Sequence, residues 1–178
     1  SWSSEKVLRA RLGVQYGAGR GVVSVSLDQI ADALMAGRIL AYAQGFRILG
    51  QAAEEYDWPL DFARIAQIWR AGCIIRAALL DDIAEAFENS ASHGGQLLEA
   101  EAIAAKLQAA LPGLRAVAGA ALGAGHPAPA LSSAVSFFDS LRIGSGTANI
   151  IQAQRDFFGR HGFERLDQEG KHHGPWWG

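Results

Sequence analysis

A chain of 178 residues, 49% hydrophobic and 19% charged, has room for one domain with a real core and none for a nucleotide-binding domain joined to a full substrate domain. Its 16 Lys and Arg against 18 Asp and Glu leave a net charge of -2, so no global positive field exists to hold nucleic acid or an anionic membrane surface. One cysteine, Cys73, excludes an internal disulfide framework and a cysteine-rich zinc site, which fits a reducing compartment and, by default, the cytoplasm.

No Lys- or Arg-led apolar leader opens the chain, and no apolar run reaches the roughly 20 residues that span a bilayer. The start at Ser1 without a methionine points to a processed or excised piece. Glycines at 13, 17, 19 and 21 each disfavour a helix by roughly 1 kcal/mol relative to alanine, so Gly13 to Val23 is expected to be a loop after a short first helix. Ser26 followed three residues on by Gln29 is a capping-box start, and a proline-free helical register then runs to about Tyr56. At 1.5 Å per residue that helix is about 45 Å long, a central pillar. Its polar stripe is narrow (Gln44, Arg47, Gln51, Glu54), while Leu34, Ile39, Leu40, Tyr42, Phe46, Ile48 and Leu49 cover most of the circumference, so other helices should surround it.

Trp58-Pro59 ends the pillar, and Asp61 is placed to cap a second helix carrying Phe62, Ile65, Ala66 and Trp69. Gly72 marks a kink or break, after which Ile74, Ile75, Ala78, Leu79, Ile83 and Phe87 continue at helical spacing as far as a loop over Asn89 to Gly95. Helices are expected at about 96–110, 112–124, 130–143 and 147–158, divided at Pro112-Gly113, Gly125-His126-Pro127 and Gly144-Ser145-Gly146. No alternating strand pattern stands between Ser26 and Phe158, and the fold class is all-α. From Gly159 the sequence GRHGFERLDQEGKHHGPWWG holds too little apolar material for a core of its own. Yet Phe163, Leu166, Trp176 and Trp177 each gain about 1.5 to 3 kcal/mol from burial, so this extended C-terminal tail is expected to dock elsewhere. The organisation is residues 1–25 as a partial helix and glycine-rich loop, 26–158 as a helical domain, and 159–178 as the tail.

Several motifs fail on context. Gly123-x-Gly125-x-x-Ala128 matches a dinucleotide fingerprint, but a helix precedes it where a strand is needed and Pro127 removes an amide; no Walker lysine follows any glycine cluster. Glu169-x-x-His172 is a single copy of a motif that metal bundles use in pairs, set among Gly170, Gly174 and Pro175. His93 and His126 fall in loops without partners, Cys73 reads as a small core residue in an apolar helix, and Met35 as core filling. No catalytic residue, cofactor ligand or metal ligand emerges. Arg155 is different, because it shares a helical face with Ala148, Ile151 and Phe158, where a lone guanidinium loses hydration unless something anionic meets it. A phosphate or carboxylate held with His161, supported by Arg160 and Arg165, is one reading; a pair with Asp156, Asp139 or a glutamate is the other.

The string Asn149 to Arg165, NIIQAQRDFFGRHGFER, resembles the C-terminal signature of decarboxylating 6-phosphogluconate dehydrogenases. AYAQGF from Ala41, WRAGCIIRA from Trp69 and ALSSAVSFFD from Ala130 agree in the same order, and together the blocks cover the chain from about residue 26 onward. The resemblance implies the later half of that family's helical domain plus its tail. It also implies a parent enzyme in which an N-terminal Rossmann domain binds NADP and 6-phosphogluconate is oxidised and decarboxylated to ribulose 5-phosphate in the pentose phosphate pathway. By the same resemblance Arg155 and His161 bind the substrate phosphate of the neighbouring subunit of a homodimer, with Arg160 and Arg165 auxiliary, and the tail threads into that subunit. The family's catalytic lysine and glutamate and its cofactor loop lie upstream of residue 1, so the isolated chain is expected to be inactive. Here Thr147 replaces a family proline, Arg160 a small residue, and Gly162-Phe163 a Thr-Tyr pair. The alternative is a free-standing helical dimerisation or binding module that has lost catalysis.

Overall fold

The computed structural model describes residues 4–17, 20–89, 93–144 and 146–176. The helices are α1 Lys6–Tyr16, α2 Leu27–Tyr56, α3 Phe62–Gly72, α4 Leu79–Asn89, α5 Glu101–Gly123, α6 Pro129–Arg142 and α7 Ala148–Gly159, with 3-10 turns at His93–Gly95 and Leu97–Glu99. The only strands among the described residues are β1 Phe163–Glu164 and β2 Lys171–His172, an antiparallel pair in the tail. The chain divides into two compact units, Ser1–Val135 and Ser136–Gly178.

In the first unit α2 is the pillar that its sequence announces. The Ser26 hydroxyl accepts from the Gln29 amide at 3.1 Å and the Gln29 side chain accepts from the Ser26 amide at 2.8 Å, closing the capping box. Ala33, Ala36, Ile39, Leu40 and Ala43 of α2 are buried, as are Ile103, Leu107, Ala110, Leu114 and Ala118 of α5, the helix packed along it. Further on, Phe46 enters an aromatic cluster with Phe62 and Trp69 of α3 and Phe87 of α4, at centroid distances of 6.1, 5.2 and 4.8 Å. Asp61 caps α3 as expected, its carboxylate accepting from the Arg64 amide at 2.9 Å.

Several sequence expectations need correction. Helix α1 runs through Gly13 and stops at Gly17, whose φ of 81° no longer suits a helix; one internal glycine costs too little to break it earlier. Helix α5 runs unbroken through Pro112. Pro112 and Gln108, whose carbonyl loses its partner, are both exposed, so water can satisfy that carbonyl. Burial of Leu107 and Leu114, about 1.5 to 3 kcal/mol each, offsets the loss. Residues 73–78 are not helical: Ile74 is fully exposed, half-buried Cys73 stands just past the end of α3, and the Tyr42 hydroxyl donates to the Ile75 carbonyl. Only part of α2 is covered, with Leu34, Met35 and Ile48 exposed. His126 does have a partner, its Nε2 lying 2.9 Å from the Gly21 carbonyl oxygen. The side chain of His93, and Trp177, lie outside the described residues.

The second unit is organised by Asp156, the one buried charged residue among those described. Its Oδ1 accepts from the Gly162 amide at 2.8 Å and lies 2.6 Å from His173 Nδ1; its Oδ2 accepts from the Gly174 amide and the Trp176 indole, both at 2.8 Å. The tail therefore closes on α7 of its own chain, with Trp176 edge-on to Phe157 at 6.3 Å. Burial alone would push this carboxyl up, but the Gly174 amide, the His173 ring, the Gly162 amide and the Trp176 indole hold it well below the usual carboxylate range.

Two predictions follow from this packing. A Cβ on Gly50 would lie 1.9 Å from the Gly94 carbonyl oxygen, whereas one on Gly119 would meet nothing within 4 Å. Calorimetry should therefore show Gly50→Ala destabilising the chain by about 1 to 3 kcal/mol, and Gly119→Ala stabilising it by up to about 1 kcal/mol. The second concerns acid. A depressed folded pKa makes the Asp156 contribution fully present above the unfolded value near about 4, and it is lost progressively as pH falls below that. Asparagine offers one acceptor oxygen where four donors need two, so two of them would face an NH2 group. Asp156→Asn should open residues 160–176 to trypsin at neutral pH and remove the low-pH transition seen by near-ultraviolet circular dichroism.

Candidate functional site

Helix α7 carries Arg155 and Asp156 side by side in its last two turns, so one points outward as the other is buried. Arg155 is exposed, and its bond to Gln152 Oε1 is long at 3.5 Å. No carboxylate among the described residues forms an ion pair with it: Asp156 is fully used by the tail, and Asp139 pairs with Arg142 at 2.7 Å. The intramolecular pairing left open by the sequence is therefore not formed. Around it, Ile151 and Phe158 are exposed rather than packed within the chain.

His161 follows the helix end. The Arg160 amide donates to the Asp156 carbonyl at 2.8 Å, Arg160 adopts the left-handed conformation at φ 52°, and Gly162 sits at φ 72°. A non-glycine residue in that conformation is uncommon. The His161 ring lies over Gly159, where an added Cβ would come within 2.8 Å of Nε2. Arg155 and His161 thus flank one helix end, both exposed, with no hydrogen bond between them.

Arg165 is engaged differently. Its Nε and second guanidinium nitrogen donate to the two oxygens of Asp167 at 2.8 and 2.5 Å. That bidentate bond and charge push the Arg165 guanidinium up and hold the Asp167 carboxyl below its usual range. Arg165 and Asp167 line an open groove of about 810 Å³ with Asn149, Gln152, Glu164 and Trp176, to which Arg155 and His161 do not contribute.

The remaining motifs do not form the sites that their spacing suggests. Gly123 to Ala128 forms the turn between α5 and α6, where the Gly125 and His126 amides already donate to the Leu122 and Ala121 carbonyls, so it does not fit a dinucleotide pyrophosphate. His172 Nε2 lies 3.1 Å from the Glu169 carbonyl oxygen rather than its carboxylate. The residue missed by sequence reasoning is Asp156. Its signal was an acid in the last turn of a helix, where the dipole disfavours negative charge unless donors compensate.

Comparison with known proteins places this helix and tail. The family model for the 6-phosphogluconate dehydrogenase C-terminal domain matches residues 3–176. The chain is 44% identical over 153 residues to the decarboxylating 6-phosphogluconate dehydrogenase of Lactococcus lactis subsp. cremoris (strain MG1363), covering 85% of this chain and 32% of that protein. It is 43% identical over 152 residues to the NADP(+)-dependent, decarboxylating 6-phosphogluconate dehydrogenase of Bacillus subtilis (strain 168), covering 84% and 32%. Among solved structures, Plasmodium falciparum 6-phosphogluconate dehydrogenase, described in its apo form and in complex with NADP+ and with 6-phosphogluconate, is similar with a TM-score of 0.88 and 33% identity. That match covers 96% of this chain and 38% of that one. The chain spans about a third of the length of the relatives it matches. The helical fold, the matched residues and the level of identity together make this chain a member of the 6-phosphogluconate dehydrogenase C-terminal domain family.

Proposed function

We propose that the chain works as the C-terminal domain of an NADP-linked, decarboxylating 6-phosphogluconate dehydrogenase, a cytoplasmic homodimer that yields ribulose 5-phosphate. In this reading Arg155 and His161 bind the phosphate of the substrate held by the neighbouring subunit, and residues 159–178 dock there. The observation that carries it is Arg155 itself: an exposed guanidinium on an apolar helix face, without a carboxylate partner, six residues before a histidine held at the helix end. A planar fork of donors fits a phosphate bidentately, and the imidazole adds a further hydrogen bond. Arg160 and Arg165 are auxiliary, and Arg165 reaches a phosphate only by exchanging Asp167 for it.

Exposed apolar residues support the homodimer. Leu27, Leu34 and Ile48 on α2 and Ile150, Ile151 and Phe158 on α7 gain from a second subunit what the chain alone does not give them. The chemistry belongs elsewhere in the enzyme: phosphate binding neither accepts a proton nor positions a hydride, so the 178-residue chain by itself is expected to give no NADP reduction.

In the dehydrogenase that carries this domain, Arg155→Ala should weaken 6-phosphogluconate binding by about 1.5 to 3 kcal/mol, read as a rise in KM with KM for NADP unmoved. An unchanged KM would remove Arg155 from the site. Sedimentation at micromolar concentration should show a dimer, and a stable monomer would contradict the assembly.

A further inference from the structure

We propose that Asp156 is the positioning residue of the phosphate arm: it fixes the backbone on both sides of His161 and thereby sets where the imidazole stands relative to the Arg155 guanidinium. The inference rests on the phosphate-binding reading of Arg155 and His161. His161 has one neighbour on each side, and Asp156 holds both. Its carbonyl oxygen accepts from the Arg160 amide at 2.8 Å and its Oδ1 from the Gly162 amide at 2.8 Å. Those neighbours have φ angles of 52° and 72°, a region that glycine enters freely but that an unsupported arginine populates poorly. The main-chain carbonyl of Asp156 holds the Arg160 amide at the helix end, and its anionic carboxylate, inside the turn, holds the Gly162 amide.

Asp156 also fixes the other half of the pair, because it follows Arg155 directly in α7 and its burial sets the rotation of that helix turn. Its remaining bonds, to His173, Gly174 and Trp176, carry the same anchor into the hairpin, so the arm and the tail are ordered together. Gly159 completes the arrangement by leaving the space that the His161 ring fills. Asp156 is fully buried and acts only through these neighbours. A phosphate bound between two side chains is sensitive to such placement, since a shift of about 1 Å in a positioned group can cost on the order of a hundredfold in rate.

The test compares 6-phosphogluconate with gluconate, which lacks the phosphate, in the dehydrogenase carrying this domain. Asp156→Asn and Gly159→Ala should each raise KM for 6-phosphogluconate by about tenfold or more and leave KM for NADP unchanged, and Gly159→Ala, which keeps the tail anchored, should leave kcat/KM for gluconate unchanged. Preference for the phosphorylated substrate then falls by the same factor. Gly159→Ala keeps the test decisive should Asp156→Asn fold poorly, because Gly159 is an exposed helical position where alanine favours the helix. An equal fall in kcat/KM for both substrates in Gly159→Ala would mean a merely structural role and overturn the proposal. If Arg155→Ala raises KM while Gly159→Ala and Asp156→Asn do not, the positioning role fails and the phosphate reading stands. If Arg155→Ala leaves KM unchanged, the phosphate reading fails, and the positioning role with it.

Discussion

A carboxylate withdrawn from water keeps its charge only if hydrogen-bond donors replace the solvent it has lost, and Asp156 is withdrawn completely. Two backbone amides, an imidazole and an indole supply that replacement, each oxygen receiving two contacts. The donors come from positions 6, 17, 18 and 20 residues further along the chain, so one buried charge gathers a tail that has almost no apolar core. The two-residue strands of the hairpin are too short to hold together by their own ladder and depend on this anchor. The proposed phosphate arm takes its geometry from the same residue, because Arg155 precedes Asp156 and His161 lies between the Arg160 amide, bound to its main-chain carbonyl, and the Gly162 amide, bound to its carboxylate.

The first unit is held by a different constraint, the close approach of backbone to backbone. Gly50 and Gly95 admit the 3-10 turn against α2, where an added Cβ would meet the Gly94 or Phe46 carbonyl oxygen at 1.9 or 2.2 Å. Gly113 does the same between α2 and α5, with Asp32 Cβ 2.4 Å from where its own Cβ would be. Small residues along α2, among them Ala33, Ala36 and Ala43, extend that proximity over several turns. Such contacts restrict volume tightly, while other positions of α2, among them Leu34 and Ile48, stay exposed.

What the sequence made legible was whatever is encoded over three or four residues. The Ser26–Gln29 capping box, the Asp61 cap and the span of α7 all rest on spacings of that kind and are found in place. Pro112 misled because a local break signal was outweighed by the apolar stripe on which α5 packs against α2, and Ile74 and Ile75 because helical spacing says nothing of whether a helix is formed. Arg155 and His161 were singled out in the sequence through a resemblance, and their phosphate role stays a proposal, which the exposure of Arg155 without a carboxylate partner supports. Asp156 was not, since its donors are glycine amides and tail side chains far along the chain, and a backbone amide leaves no mark in residue identity.

The most direct measurement is a pH titration of the Asp156 carboxyl carbon by NMR, with hydrogen exchange at the Gly162 and Gly174 amides and the Trp176 indole followed in parallel. The carboxyl should remain ionised at pH values where ordinary carboxylates are already protonated, and all three N–H groups should be protected until it titrates. Titration in the ordinary carboxylate range near about 4, with the three N–H groups exchanging as freely as those of an unstructured tail, would contradict the account.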